Sequence, residues 1–326
     1  MKKITYLIPF VALLLTGCDV KIDPAEGKAV MEDSLAKEEE VNHFKMHVES
    51  FQKIEMEMTS AISESESIMV SSQMDASIDL TLLDQWANPD GEQSLSYVQT
   101  TAGEALEVYG EESSTTVIAP ETFAYYLKDT IGYADFTEAP VQYEEDIGGD
   151  GSDLKLKMYY DFNSLFMSTI VASPFDMIDQ ILEEYDLFVE KGVFNATENA
   201  GNTTVSVQLN TQIFGEISDI KDAEDNEESV PTSFPDYSDG YVVTDGEITE
   251  TTVIHRYKML LTFDANHYLT HSLYDFDVEI GQEGSSFING TNRITYKIEI
   301  DRTNINDENL TCDYPSDLDS YVDYVE

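Results

Sequence analysis

The thiol best placed for chemistry in this chain is that of Cys18. Lys2 and Lys3 begin the sequence, an apolar run fills residues 4–15, and the small residue Gly17 stands directly before the cysteine. A basic start, an apolar run too short to cross a bilayer as a helix, and small residues before a cleavage point are typical of an export signal. We therefore expect residues 1–17 to be a signal peptide and Cys18 to be the first residue after cleavage.

The segment Leu15-Thr16-Gly17-Cys18 resembles the bacterial lipobox. This resemblance implies transfer of a diacylglyceryl group to the Cys18 sulfur, and we expect no cofactor besides that covalent lipid. Two acyl chains are enough for stable anchoring, since each buried methylene contributes roughly 0.8 kcal/mol. The resemblance predicts a lipoprotein anchored in the cell membrane, with its folded part on the extracytoplasmic face. The alternative is an ordinary secretory signal with a chance cysteine.

The net charge limits the partners that this chain can have. It has 17 Lys and Arg against 65 Asp and Glu, a formal charge of −48, and removal of Lys2 and Lys3 leaves 15 against 65, or −50. Such a field repels phosphate backbones and anionic headgroups, so we exclude nucleic acid as a partner and charge as the membrane anchor. Solubility is the preferred explanation of the acidity over binding of a cation or a basic protein.

Two histidine pairs have a spacing that raises the question of a metal site. His43 and His47 are four apart on a predicted helix, with Glu40 one turn earlier, but no fourth ligand is identified. His267 and His271 have the same spacing on a predicted strand, where it spans roughly 13 Å and prevents a shared ion. We therefore predict no metal site.

The sequence carries no recognisable catalytic motif. It lacks the nucleophile elbow, the phosphate-binding loop and the His-Glu-x-x-His motif. The Asp- and Gly-rich segment 146–153 fails as an EF-hand, because Lys157 stands where the final Glu is needed. Cys312 lies in an acidic segment that raises a thiol pKa, so no reactive thiolate is expected. We predict that the protein is not an enzyme.

The sequence that follows the signal predicts a long helix. Asp23 before Pro24 has the residue types of an N-cap and a first helical position. Farther on, apolar residues recur in steps of three and four, the spacing of one helix face. These residues are Val41, Phe44, Val48, Phe51, Ile54, Met58 and Ile62.

Most of the remaining pattern predicts strands. Apolar and polar residues alternate over 73–82, 154–158, 204–213, 257–263, 274–280 and 294–300, and the last three runs suggest a meander. One helix interrupts them, with Ser173 as N-cap, Pro174 at the first position, and Lys191 and Gly192 at its end. We expect an exposed acidic insertion at 218–240 and an acidic tail at 303–326 whose tyrosines allow docking.

This order of elements resembles the LolA/LppX-like group of bacterial lipoproteins and lipoprotein carriers. The resemblance implies an α+β fold in which a strongly curved antiparallel sheet, a half-barrel with a meander, wraps amphipathic helices and is preceded by an N-terminal helix. It also implies a cavity for acyl chains between sheet and helix. The candidate lining is the apolar face of the capped helix: Phe175, Ile178, Leu182, Tyr185 and Phe188.

The combined prediction divides the chain into a signal peptide (1–17), a lipidated tether and helix start (18–40), one curved-sheet domain (41–302) and the tail (303–326). The leading hypothesis is an envelope lipoprotein that binds or shields a lipid acyl chain or another apolar ligand without covalent chemistry. The alternative is an extracytoplasmic module with a closed core that uses its acidic surface for a protein or a cation. The protein partner is not identified.

Overall fold

The computed structural model describes nine segments of the chain, and the structure is mixed α+β: a large, curved, mainly antiparallel sheet that is not closed, with helices packed on it. The described residues are 19–60, 63–84, 94–110, 112–139, 154–158, 175–226, 229–245, 248–284 and 288–323. The predicted signal peptide, Cys18, the 146–153 segment and the predicted cap at Ser173 and Pro174 lie outside them.

In the nine described segments, fourteen strands form this sheet. They are β1 (Val20–Lys21), β2 (Phe44–Ser60), β3 (Ser63–Leu83), β4 (Ser94–Tyr109), β5 (Glu112–Lys128), β6 (Ile131–Glu138), β7 (Lys155–Met158), β8 (Phe194–Asn199), β9 (Asn202–Leu209), β10 (Tyr241–Asp245), β11 (Ile248–Phe263), β12 (Leu269–Glu283), β13 (Ile288–Thr303) and β14 (Val322–Asp323). Their order is β1-β8-β9-β11-β12-β13-β2-β3-β4-β5-β6-β7-β14, and β10 pairs with β11. Strand β14 is parallel to β7, and the other pairs are antiparallel.

The predicted meander is confirmed as β11, β12 and β13, which are consecutive antiparallel neighbours. The turn between β11 and β12 is built as its residue types indicate, because Asp264 Oδ1 accepts hydrogen bonds from the backbone N–H groups of Asn266 (2.8 Å) and Tyr268 (2.9 Å). The alternation of side chains gives the sheet one apolar inner face and one polar outer face.

Helices pack on the inner face near one end of the strands. They are α1 (Pro24–Glu38), α2 (175–183), α3 (Tyr185–Glu190) and α4 (Thr211–Asp225), and a short 3₁₀ helix covers Leu318–Ser320. Helix α1 begins where the sequence indicates, since the side chain of Asp23 accepts a hydrogen bond from the Ala25 N–H at 2.9 Å.

The predicted helix through residues 41–62 is wrong, because residues 44–60 form β2. Steps of four keep side chains on one side of a strand as well as of a helix. Phe44, Val48, Ile54 and Met58 are all even-numbered and share the inner face, whereas Phe51 lies on the outer face. Pairing with β13 on one side and β3 on the other supplies the backbone hydrogen bonds of this segment.

The predicted strand over 204–213 ends at Leu209, and the predicted loop over 218–240 begins inside α4. Asn210 starts the helix by accepting a hydrogen bond from the Ile213 N–H at 2.9 Å. Ile217, Ile220 and Ala223 are then buried at helical spacing. The predicted loop is therefore wrong for residues 218–225, which are helical with Ile220 and Ala223 buried, whereas Asp222, Glu224 and Asp225 are exposed as expected.

Residues 312–321 of the predicted tail are packed across the outer face of the sheet. Cys312 Sγ donates to the carbonyl of Thr81, and the Tyr314 hydroxyl donates to the carbonyl of Leu127 at 2.9 Å. The Tyr321 hydroxyl donates to Asp135 at 3.2 Å, and β14 then joins the edge of the sheet. We call this segment the outer strap.

Two buried clusters hold the inner face together. One lies under β2 to β7 and includes Phe44, Met46, Leu80, Tyr97 and Phe123. The other lies between the helices and strands β8, β9, β11 and β12, and includes Met31, Ile178, Val205, Met259, Leu261 and Phe263. Both clusters occupy the end of the strands near Phe44 and Phe263, which we call the proximal half of the sheet.

Candidate functional site

The five residues predicted to line a cavity lie together, but they belong to a packed core. Ile178 is fully buried and Phe188 nearly so, while Phe175, Leu182 and Tyr185 pack around them against the same cluster. These residues therefore bind α2 and α3 to the sheet.

A cleft of about 650 Å³ opens beside α3 and α4, and it is acidic rather than apolar. Lys221 forms an ion pair with Glu184 within it. The other lining residues are Glu183, Asp186, Leu187, Glu190, Glu224 and Asp225. A cleft of this composition does not suit an acyl chain, because ligand pockets for apolar molecules are lined mainly by apolar side chains.

The larger apolar feature is the continuation of the inner face beyond the two cores. Cross-strand register places apolar side chains of β11, β12, β13 and β2 in adjacent rows: Phe276 pairs with Tyr257 and Tyr296, Val278 pairs with Ile254 and Ile294, and Ile294 also pairs with Ile54. We call this surface the distal inner face. Its residues are Ile54, Met56, Met58, Met74, Ile254, Tyr257, Phe276, Val278, Ile280, Ile294 and Tyr296.

These side chains are only partly covered by the protein. All eleven residues except Ile254 and Met74 are partly exposed; Ile254 is buried, whereas Met74 has 46% of its surface exposed. Within the described residues, the main helix contacts with the sheet fall on β8, β9, β10 and β11. A contiguous apolar surface of this kind marks a binding site more often than isolated exposed apolar residues do.

An aromatic cluster marks the boundary between the covered and the uncovered parts of this face. The ring of Tyr274 lies 5.7 Å from that of Tyr257, 5.3 Å from that of Phe276 and 6.2 Å from that of Tyr296. The Tyr274 hydroxyl donates to the Tyr257 hydroxyl at 3.3 Å. Burial raises the pKa values of Tyr274 and Tyr296, so both rings are uncharged at neutral pH.

Among the described residues, one polar atom on this face has no hydrogen-bond partner. Asn292 lies between Ile294 and Gly290 on β13, opposite Ile280 and Met56. Its Oδ1 atom is buried and accepts no hydrogen bond from the described residues. A buried acceptor left without a donor is costly, so a donor group on a bound molecule would be stabilised here.

Each of the four histidines in the two pairs has a partner of its own. His47 lies on β2 and pairs with Asp79 at 2.8 Å, while His43 Nδ1 accepts a hydrogen bond from the Asp84 N–H. His267 lies in the turn before β12 and pairs with Asp33 at 2.7 Å, and His271 pairs with Asp301 at 2.8 Å.

One group escaped the sequence analysis: His271, Glu299 and Asp301 have potential ligand atoms that lie within 4.8 Å of one another. The signal that joins them is the register of β12 against β13, which local sequence does not reveal.

Comparison with known proteins gives no family for this chain: no protein-family model and no characterised protein matches it. Among the helices of the described segments, none is long and apolar enough to span a membrane.

Proposed function

We propose that this chain is a bacterial envelope lipoprotein, anchored through Cys18, that binds a lipid acyl chain along the distal inner face without covalent chemistry. The observation that carries the proposal is the row of partly exposed apolar side chains that continues beyond the packed cores. The lipobox segment supports the anchor, and the rows across β11, β12, β13 and β2 support the ligand.

The dimensions of the distal inner face suit an acyl chain. From Tyr296 to Gly290, which is opposite Met58, the surface runs roughly 20 Å along β13, at about 3.4 Å per residue. Five strands, β11, β12, β13, β2 and β3, spaced about 4.8 Å apart make it roughly 19 Å wide. The acyl chains of one leaflet fill about half of the roughly 30 Å hydrocarbon core, so one chain fits lengthwise with room to spare.

The chemistry of the face favours the tail of a lipid over its headgroup. The eleven residues are aliphatic, aromatic or methionine, and none carries a positive charge for a carboxylate or a phosphate. Methionine adapts its shape to flexible apolar ligands; Met56 and Met58 follow Ile54 on the same face of β2, and Met74 lies diagonally across from it on β3. The buried Oδ1 atom of Asn292, which accepts no hydrogen bond from the described residues, offers an acceptor to a hydroxyl or amide donor of a bound lipid.

The start of the described chain suggests how the domain would be held at the membrane. Strand β1 pairs with β8, and Asn199 Nδ2 donates to Asp19 Oδ1 at 2.8 Å. Residues 20–21 form β1 and residues 24–38 form α1. With a lipid on Cys18, the proximal half would lie next to the bilayer and the distal inner face would extend away from it.

The ligand is tested by native mass spectrometry of the full chain, purified in detergent from a bacterial host. Gas-phase activation releases a non-covalent lipid but leaves the lipid on Cys18. We expect a releasable lipid with the wild type and its loss with Ile294→Glu, which places a charge on the distal inner face. The matched control is Val117→Glu, which adds the same charge to an exposed outer-face position.

Retention of the lipid by Ile294→Glu would contradict the assigned surface. A wild-type chain that carries no releasable lipid and takes up no added fatty acid or phospholipid would favour the closed-core interaction module instead.

The anchor has a separate test. Cys18→Ala removes the sulfur that would carry the diacylglyceryl group, so the variant should lose acylation and membrane retention. Mass spectrometry of the N-terminal peptide and fractionation of cells measure the two effects. The lipobox interpretation would be refuted if the Cys18→Ala protein, without acylation, were retained at the membrane as well as the wild type.

A further inference from the structure

We propose a divalent transition-metal site of the zinc type on the outer face, formed by His271, Glu299 and Asp301. This site is independent of the apolar face and of the lipid anchor. It combines one imidazole with two carboxylates, on two adjacent strands of the most regular part of the sheet.

Cross-strand register brings the three side chains together. His271 on β12 is directly opposite Asp301 on β13, and Glu299 lies two residues before Asp301 on the same face. His271 Nδ1 and Asp301 Oδ1 are 2.8 Å apart, and each of the three residues offers a ligand atom within 4.8 Å of the other two. Two paired strands therefore hold the donors without help from a flexible loop.

The distances are close to those of metal ligands. With metal–ligand bonds of about 2.0–2.2 Å, two ligands of a tetrahedral zinc site lie about 3.4 Å apart. His271 Nδ1 and Asp301 Oδ1 are hydrogen-bonded at 2.8 Å, so a small outward shift of the two side chains lets an ion replace the proton between them. Glu299 needs a side-chain rotation to close the third bond, which its partial exposure allows.

The donor set selects the class of ion. Imidazole with carboxylates suits Zn²⁺ and its neighbours in the first transition row, whereas Ca²⁺ prefers six to eight oxygen ligands. Access is open, because 25% of the His271 side chain and 54% of the Asp301 side chain are exposed. Water would complete the coordination, as at zinc sites with three protein ligands.

The side chains around the proposed site include a second imidazole and an ammonium group that competes with a metal for one ligand. His47 on β2 is the other cross-strand neighbour of Asp301, so the row across four strands reads His271, Asp301, His47 and Asp79. Lys297 Nζ contacts Glu299 Oε2 at 2.7 Å and competes with a metal for that carboxylate. Removal of Lys297 should therefore strengthen metal binding.

The test is isothermal titration of the folded full chain with Zn²⁺ in an excess of Ca²⁺, which occupies non-specific carboxylates. We expect one tight equivalent in the wild type and at least about a tenfold loss of affinity in His271→Gln. The matched control is His255→Gln, since His255 pairs with Glu279 at 3.4 Å on the same sheet. Circular dichroism checks that each variant is folded.

Lys297→Met should bind Zn²⁺ more tightly than the wild type. Equal affinity in the wild type and His271→Gln would overturn the proposal, as would an equal loss in His255→Gln. Unchanged affinity in Lys297→Met would overturn the assignment of Glu299 as a ligand.

Discussion

The proximal and distal halves of the sheet share the same strands and the same inner face, but they differ in what covers them. Met259, Leu261 and Phe263 on β11 are fully buried under the helices. Farther along the same face, Phe276 and Ile294 are partly exposed. The alternation of apolar residues specifies a face of the sheet, whereas the amount of burial depends on helices and chain ends from elsewhere in the sequence.

The outer face differs between the two halves in the same way. The outer strap crosses the proximal outer face and brings Tyr314 and Tyr321 against β5 and β6. The distal outer face instead carries ion pairs such as Arg293 with Asp277. The proximal half is thus packed on both faces where the outer strap crosses β5 and β6, whereas its outer face over β12, β13 and β2 carries exposed pairs such as His271 with Asp301.

The largest expected effect is a difference in unfolding free energy between alanine variants of two phenylalanines on the inner face. Phe263→Ala should lower the free energy of unfolding by about 3–5 kcal/mol, because a fully buried ring leaves a cavity. Phe276→Ala should cost less than about half as much, because its ring is already partly exposed. Urea denaturation of the two variants measures the difference. Equal losses would mean that the distal inner face is packed as tightly as the proximal core.

A somewhat smaller effect is expected at the buried ion pair of the proximal half. Arg302 donates two hydrogen bonds to Glu38, at 2.9 and 3.0 Å, and its guanidinium lies 4.6 Å from the centre of the Phe44 ring. Arg302→Ala leaves Glu38 buried without its partner and should cost about 3 kcal/mol. The double variant Arg302→Met with Glu38→Gln should recover part of this loss, because it buries no charge.

The pH dependence of Arg302→Ala tests the same explanation. Burial raises the pKa of Glu38, and Arg302 opposes that shift. Without Arg302 the pKa should rise further above its unfolded value of about 4.3. A raised carboxyl pKa favours the folded state at low pH, and this contribution is lost as the pH rises through the folded pKa. The stability gap to the wild type should therefore narrow as the pH falls toward 4, and a constant gap would argue against a buried charge.

Local signals predicted the elements whose start or period is unambiguous, such as the Asp23 cap of α1 and the three strands of the meander. They failed at β2, where steps of four agree with both a helix and a strand, and at Asn210, where a cap residue overrides a strand pattern. The predicted cavity lining, which included Ile178 and Phe188, is packed core instead. An apolar stripe on a helix does not reveal whether other elements cover it. The distal inner face and the row from His271 to Asp79 depend on register between strands far apart in sequence.

The smallest expected effect concerns the distal ion pair. Arg293 donates to both carboxylate oxygens of Asp277 at 2.8 Å, and its guanidinium lowers the pKa of Asp277. A lowered pKa contributes stability above the unfolded value of about 3.9, and this contribution is lost as the pH falls through the folded pKa. Asp277→Asn should therefore cost about 1 kcal/mol or less at neutral pH, since Arg293 is well exposed to solvent. Urea denaturation at pH 7 and below pH 4 should show the two proteins converging in acid, as the wild-type carboxylate is protonated. A difference that persists in acid would mean that Asp277 acts by packing in the distal half, as the residues of the proximal half do, and not by its charge.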